Sequence, residues 1–254
     1  MNQAIRCFKA EFKKRKRSLF LYIHLFVPIT LSGVLVMYIL ARNGGISLQS
    51  SYTMFFELIG VGTPVIISII CGIVADTENE AGNFQNILGV IQNKTIAFLS
   101  QVSMMILSYF FAILLTIFTY IIALKYIVGI GDVQISLYLL TGFIFAVSVS
   151  FQYFFYLVIG YNYGIGMCSI SGFAGLIIAA LSLTSIGDKV WVYLPWSWPS
   201  RFTEFFLESS SMIPITDYDK GLFKSSIIAC VITIIVILLS IYWFNNWYGR
   251  RTND

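Results

Sequence analysis

Six stretches of this chain stay apolar for about 20 residues or more, and this restricts the fold more than any other property. They run over about 19–41, 54–75, 96–124, 135–160, 165–186 and 225–244. A helix of about 20 apolar residues matches the hydrocarbon thickness of a bilayer. Within lipid no water pairs with backbone N–H and C=O groups, so only helices and closed barrels can span it. Barrel strands alternate in polarity over short segments, whereas these blocks are continuously apolar. The expected fold is all-α, a polytopic membrane protein of six transmembrane helices forming a single domain over 1–254. Charged residues are only 11% of the chain, against roughly a quarter in a soluble domain. The third block exceeds what a bilayer needs, so tilt or an extension beyond the membrane is expected. The charged start leads into a full-length span with no small-residue cleavage site, so no cleavable signal peptide is expected.

Lys and Arg close to a span stay cytoplasmic. Seven bases (Arg6, Lys9, Lys13, Lys14, Arg15, Lys16, Arg17) precede the first span; with six spans, Lys94, Arg250 and Arg251 fall on the same side. Six lie on the other: Arg42, Lys125, Lys189, Arg201, Lys220 and Lys224. The bias places both termini in the cytoplasm. Ile5, Phe8, Phe12 and Leu19 recur at helical spacing among those bases, as in a helix lying in the membrane interface. Because the basic run adjoins a span, its partner is expected to be anionic lipid rather than nucleic acid. A plain topogenic charge cluster is the alternative. The four cysteines are scattered (Cys7, Cys71, Cys168, Cys230), with neither metal-ligand spacing nor a disulfide framework.

Two connections are substantial. The first, "ADTENEAGNFQNILGVIQNK" (75–94), gathers Asp76, Glu78 and Glu80 within five positions. Thr77 followed by Glu80 fits a capping box, and Phe84, Ile87, Leu88 and Ile91 fall on one helical face. A capped amphipathic helix over about 77–91 is predicted, suited to docking on another protein or to lying on the inner leaflet. The second connection is external, about 187–222, and holds Trp191, Trp196, Trp198, Pro195, Pro199 and Pro214. Trp favours the membrane–water boundary and proline interrupts helices. Short helices resting on or dipping into the outer leaflet are expected, one of them opening at Pro199 or Ser200 with Phe202, Phe205 and Phe206 on one side. In the fifth block Gly160, Gly164, Cys168 and Gly172 are spaced by four, with Ser171, Gly175 and Ala179 in a second row. Such rows let helices pack closely; lining a passage is the other reading.

The chain has no G-x-x-x-x-G-K-[ST] phosphate loop, the nearest fragment being "GLFKSS", so any work against a gradient needs a separate ATPase. This layout, with "TENEAGNFQNILG" and "LPWSWPSRF", resembles the ABC-2-type transporter permeases, in particular the E-type subunit of lantibiotic self-protection transporters. The resemblance implies a subunit, not itself an enzyme, of an ATP-driven exporter in the cytoplasmic membrane of a Gram-positive bacterium. That exporter expels lantibiotics or related antimicrobial peptides and so gives immunity. The implied partners are an ATPase, in two copies, using ATP and Mg, a second six-span permease (G-type), an amphipathic peptide and the bilayer. It also implies that Glu78, Glu80 and Gly82 belong to the coupling helix touching the ATPase, and that Trp196, Trp198, Pro199 and Arg201 lie near the exit.

Other readings remain open. Another cargo, such as a bacitracin-like peptide, a toxin or a lipid, fits the same class. An intramembrane protease would need a base beside the Ser of "SISG", and the sole histidine, His24, lies on the first span. An ion-coupled carrier would need several ionisable groups within the membrane; only His24 and Glu57 qualify, and both also suit packed or headgroup positions.

Overall fold

The computed structural model describes residues 3–42, 46–89, 93–131, 133–210 and 218–250, and their side chains except for 205–210 and 218–222. The described residues form helices and turns, with no strand among them. In chain order these are α1 (Gln3–Arg15), α2 (Leu19–Ala41), α3 (Leu48–Glu80), α4 (Gln85–Leu88), α5 (Lys94–Ala123), α6 (Ile135–Ser148), α7 (Ser150–Ser182), α8 (Trp198–Ser210) and α9 (Tyr218–Asn245). A π-helical turn, Leu124–Val128, prolongs α5, and three 3₁₀ turns (Gly187–Lys189, Trp191–Tyr193, Pro195–Ser197) precede α8.

Five helical elements are long and apolar enough to cross a membrane, and they coincide with the apolar blocks. The fourth, Ile135–Ser182, is 48 residues long and absorbs two blocks. It is not a straight rod. Gly164 has φ 80° and ψ −173°, and beyond it the Cys168 thiol lies 3.1 Å from the Tyr156 carbonyl oxygen. Twelve residues of straight helix would separate them by about 18 Å. The chain therefore doubles back at Gly164 and its two arms pack antiparallel. A side chain here would meet more than an unfavourable φ: its Cβ would lie 3.1 Å from Asp76 Oδ1 and 3.3 Å from an Arg250 nitrogen.

The most extensive helix–helix contact is between α3 and α7. Small residues make it possible. A Cβ on Gly160 would stand 3.0 Å from that of Ala75, and one on Gly172 would collide with the Ser68 hydroxyl. Around this seam the core is aromatic, with Phe55, Phe56, Tyr120, Tyr138, Phe145 and Tyr153 in one cluster. A smaller cluster joins Phe151, Trp191, Trp198, Phe202 and Ala229. The outer faces are apolar too: Met37, Phe111, Ile170, Phe173, Leu238 and Leu239 are all exposed. Water would not tolerate so much exposed apolar surface; lipid accepts it.

The predicted helix over 77–91 does not form. The α3 ladder runs unbroken to Glu80, so Thr77 sits in a last turn, its hydroxyl donating to the Ile73 carbonyl at 2.6 Å rather than capping anything. A capping box acts only where a helix starts; nothing before residue 81 breaks this one. The break comes where Gly82 (φ 124°), Asn83 (48°) and Phe84 (65°) take left-handed conformations in succession, leaving α4 a single turn. Ile91 lies outside the described residues, as do the side chains of Phe205 and Phe206 and that of Lys220, Pro214 as a whole, and Arg251.

Candidate functional site

Polar chemistry collects at the two ends of α3. At its C-terminal end, Glu78 faces inward with 3% of its side chain exposed, paired with the equally buried Arg15 at 2.7 Å. Lys14 lies 3.2 Å from Glu78 and 2.7 Å from Glu11. The Gln101 amide donates to both Glu11 and Glu78, and its oxygen accepts from the Tyr161 hydroxyl. Two bases thus neutralise two acids, which is how charges survive burial. Burial draws the Lys14 ammonium down, but attraction and hydrogen bonding from Glu11 and then Glu78 outweigh it, so its pKa stands above the ordinary value. The cluster docks α1 onto α3 and α5. It also turns Glu78 inward, its carboxylate engaged by Arg15 and Lys14 rather than presented on the surface of the connection.

Asp76 secures the hairpin. One oxygen accepts from the Ile165 N–H at 3.1 Å, at the start of the second arm of α7; the other pairs with Arg250 at 2.8 Å. Arg250 donates onward to the carbonyls of Gly160 and Tyr161 at the end of the first arm. An acid thus meets a helix N-terminus and a base a helix C-terminus, the arrangement that the helix dipoles favour. Lys94 does the same for α9, donating to the carbonyls of Asn245 and Trp247.

Between these anchors hangs the 81–89 connection. Its apolar stripe points inward: Phe84 and Ile87 are buried and Leu88 half-buried, with the Phe84 ring edge-on to Tyr161 and Trp247. Thr77, Glu80, Gly82, Asn83, Gln85 and Asn86 are exposed. The connection exposes a polar rim rather than the apolar face read from its spacing.

The opposite end of α3 meets residues 187–204, which fold back among the helices. The Trp196 indole N–H donates to the Tyr156 hydroxyl at 2.8 Å, and a Cβ on Gly175 would press on that indole at 2.7 Å. Trp198 is buried against Phe151 and donates to the Val192 carbonyl; Trp191 packs edge-on to Phe202. Pro199 is buried in the first turn of α8. Ser200 is buried where a Cβ on Gly60 would lie 3.1 Å from its own, about three helical turns in from the start of α3. The aromatic stretch is therefore packed inside the bundle. Arg201 holds it there, donating through Nε and Nη2 to the Ser182 carbonyl and through Nη2 to Asp188 at 2.6 Å. Asp188, Glu204 and Glu57 give this end an acidic surplus around Arg201.

His24 donates from Nδ1 to the Phe20 carbonyl at 2.7 Å, and no hydroxyl or thiol nucleophile pairs with it among the described residues. The sequence does not single out Glu11, Gln101 or Tyr161, and it shows Arg15 only as one base in a cationic run. One signal was available: Glu11 is the sole acid in the first 17 residues, set among seven bases. The pairing of Asp76 with Arg250 across 174 positions left no local signal.

Comparisons with protein-family models, curated proteins and solved structures return no match to this chain. Its class is accordingly defined by its own fold and site: a helical protein with multi-pass membrane character, polar at both ends of one long helix.

Proposed function

We propose that this chain is the permease subunit of an ATP-driven exporter of the ABC-2 type, and that its cargo is an amphipathic antimicrobial peptide removed from the membrane. The observation that carries the reading is the reach of α3, which continues without a break from Gly60, where Ser200 of the inserted aromatic segment packs, to Glu80 at the polar rim. A push on the rim has a continuous helical path to that contact, with Pro64 inside it as a point where the helix can bend. Counting the two arms folded at Gly164 as separate crossings gives six spans, and the basic bias then puts α1, the rim and both termini in the cytoplasm. The rim would receive a separate ATPase, in two copies, which supplies ATP and Mg chemistry. With Glu78 occupied by Arg15, the contact would fall to Glu80, Gly82, Asn83, Gln85 and Asn86.

At the outer end, Asp188, Glu204 and Glu57 suit a cationic cargo, and the tryptophans suit an amphipathic one arriving from lipid. The apolar window of α9 is only 17% buried, which leaves a face for the second permease. Bacterial cytoplasmic membrane is the setting these partners require. The test is co-expression of the full chain with candidate ATPases and a second permease, scored by co-purification and by survival against a panel of peptides. Glu80→Lys combined with Gln85→Lys should break co-purification and tolerance while membrane levels hold. Unchanged assembly and tolerance would remove the rim from the mechanism.

A further inference from the structure

A groove of about 500 Å³ runs between α1, α2 and α5. Its floor is apolar, formed by Phe20, Leu25, Phe111, Ala112 and Leu115, while Lys13, Arg15 and Lys16 stand at one end. Lys13 and Lys16 are exposed, and neither has an acidic partner within 4 Å among the described residues, unlike Lys14 beside them. Arg15 spends a terminal nitrogen on Glu78, yet its Nε is buried with no acceptor. Deeper in, His24 commits Nδ1 to the Phe20 carbonyl and leaves a buried Nε2 unpartnered. The groove thus has an apolar channel and, at its α1 end alone, unspent positive charge.

We propose that this groove binds one anionic phospholipid from the leaflet on the α1 side, its phosphate against Lys13 and Lys16 and an acyl chain laid between α2 and α5. The occupant follows from charge complementarity joined to shape. An acidic peptide would satisfy the lysines but not the apolar floor, and a zwitterionic lipid would fill the floor and offer a phosphate, but its own cation would cancel that charge and be repelled by the neighbouring bases. Basic pockets between helices at the cytoplasmic membrane face recognise anionic head groups on this principle. A second groove on the other flank of α5 serves as an internal contrast. It is lined by Phe8, Ile106, Leu107, Phe110 and Phe143 with no charged residue, so it should accept acyl chains without regard to head group. The proposal requires only that the chain sits in a membrane; it does not depend on the transport reading.

The full-length chain in detergent, exposed to equal amounts of phosphatidylglycerol and phosphatidylcholine with the same acyl chains, should retain the anionic lipid preferentially by native mass spectrometry. Lys13→Gln with Lys16→Gln should lower that preference about tenfold or more, each basic residue near a lipid surface contributing comparably. Ala112→Trp should reduce retention of both lipids by filling the floor. A photoactivatable phosphatidylglycerol should label the wild-type chain on α2 or α5 beside the groove, a readout independent of how well any variant folds. Equal retention of the two lipids by the wild type, a preference that survives the double lysine variant, or labelling confined to the uncharged groove would each overturn the proposal. So would full competition by soluble glycerol phosphate, since that would show the acyl channel to be irrelevant.

Discussion

Arg15 and Glu78 meet with only 3% of either side chain exposed, and the cost of separating such a pair falls on whichever charge is left behind. Glu78→Ala should destabilise the protein by about 3–5 kcal/mol, the usual range for orphaning a buried ion. Glu80→Ala, two residues on and exposed, should stay within about 0.5 kcal/mol of wild type. Thermal unfolding in detergent separates the two; equal melting points would mean that the cluster does not hold α1. Lys14 adds a pH dependence with a definite sign. A raised pKa favours the folded form below the ordinary lysine value and loses that contribution as pH climbs through the higher folded one. On the alkaline side, Lys14 should therefore release α1 only well above neutral pH, read as a rise in Cys7 labelling beyond that of Lys14→Met at the same pH. At Gly172 the issue is space. A Cβ there runs into Ser68, so Gly172→Val should cost about 1–3 kcal/mol by overpacking.

Among the elements, α7 depends most on a single position. Gly164 at φ 80° and ψ −173° sets where its two arms reverse, and Gly164→Ala should cost about 1–3 kcal/mol for placing an L-residue in that essentially glycine-only conformation, with the close approach of Asp76 and Arg250 added to it. The price in folded protein should appear as a lower melting point with unchanged insertion. The inserted segment depends on Arg201, whose guanidinium reaches the Ser182 carbonyl and Asp188 at once. Lysine offers no planar fork, so Arg201→Lys should resemble Arg201→Ala, both exposing 187–197 to protease. Rescue by lysine would reduce Arg201 to a simple charge. Spacing did announce several of these elements: the apolar blocks and the small-residue rows both have counterparts in the helices. Spacing failed at 77–91 because periodicity cannot say which way an apolar stripe faces. Phe84 and Ile87 have the pattern of a docking surface, yet Phe84 packs on Tyr161 and Trp247 and Ile87 is buried in the same core.

For the molecule as a whole, the transport proposal requires that the two ends of α3 move together. With the four native cysteines replaced, Gly60→Cys and Ser200→Cys should form a disulfide on mild oxidation after the two backbones part by a few tenths of an ångström, the implied Cβ separation of 3.1 Å being shorter than the roughly 3.5–4.5 Å of natural bridges. Oxidation should then abolish peptide tolerance reversibly in cells that carry the complete transporter. Full tolerance in the cross-linked state would mean that the inserted segment stays put during transport. The chain's local chemistry settled its solvent and its secondary structure, because a run of about 20 apolar side chains has few destinations other than lipid and few backbone solutions other than a helix. Which charges meet which was decided only in three dimensions: Arg15 finds Glu78 across 63 positions and Arg250 finds Asp76 across 174. Ion pairs are chosen by proximity after the helices have packed, and no periodicity along the chain encodes that choice.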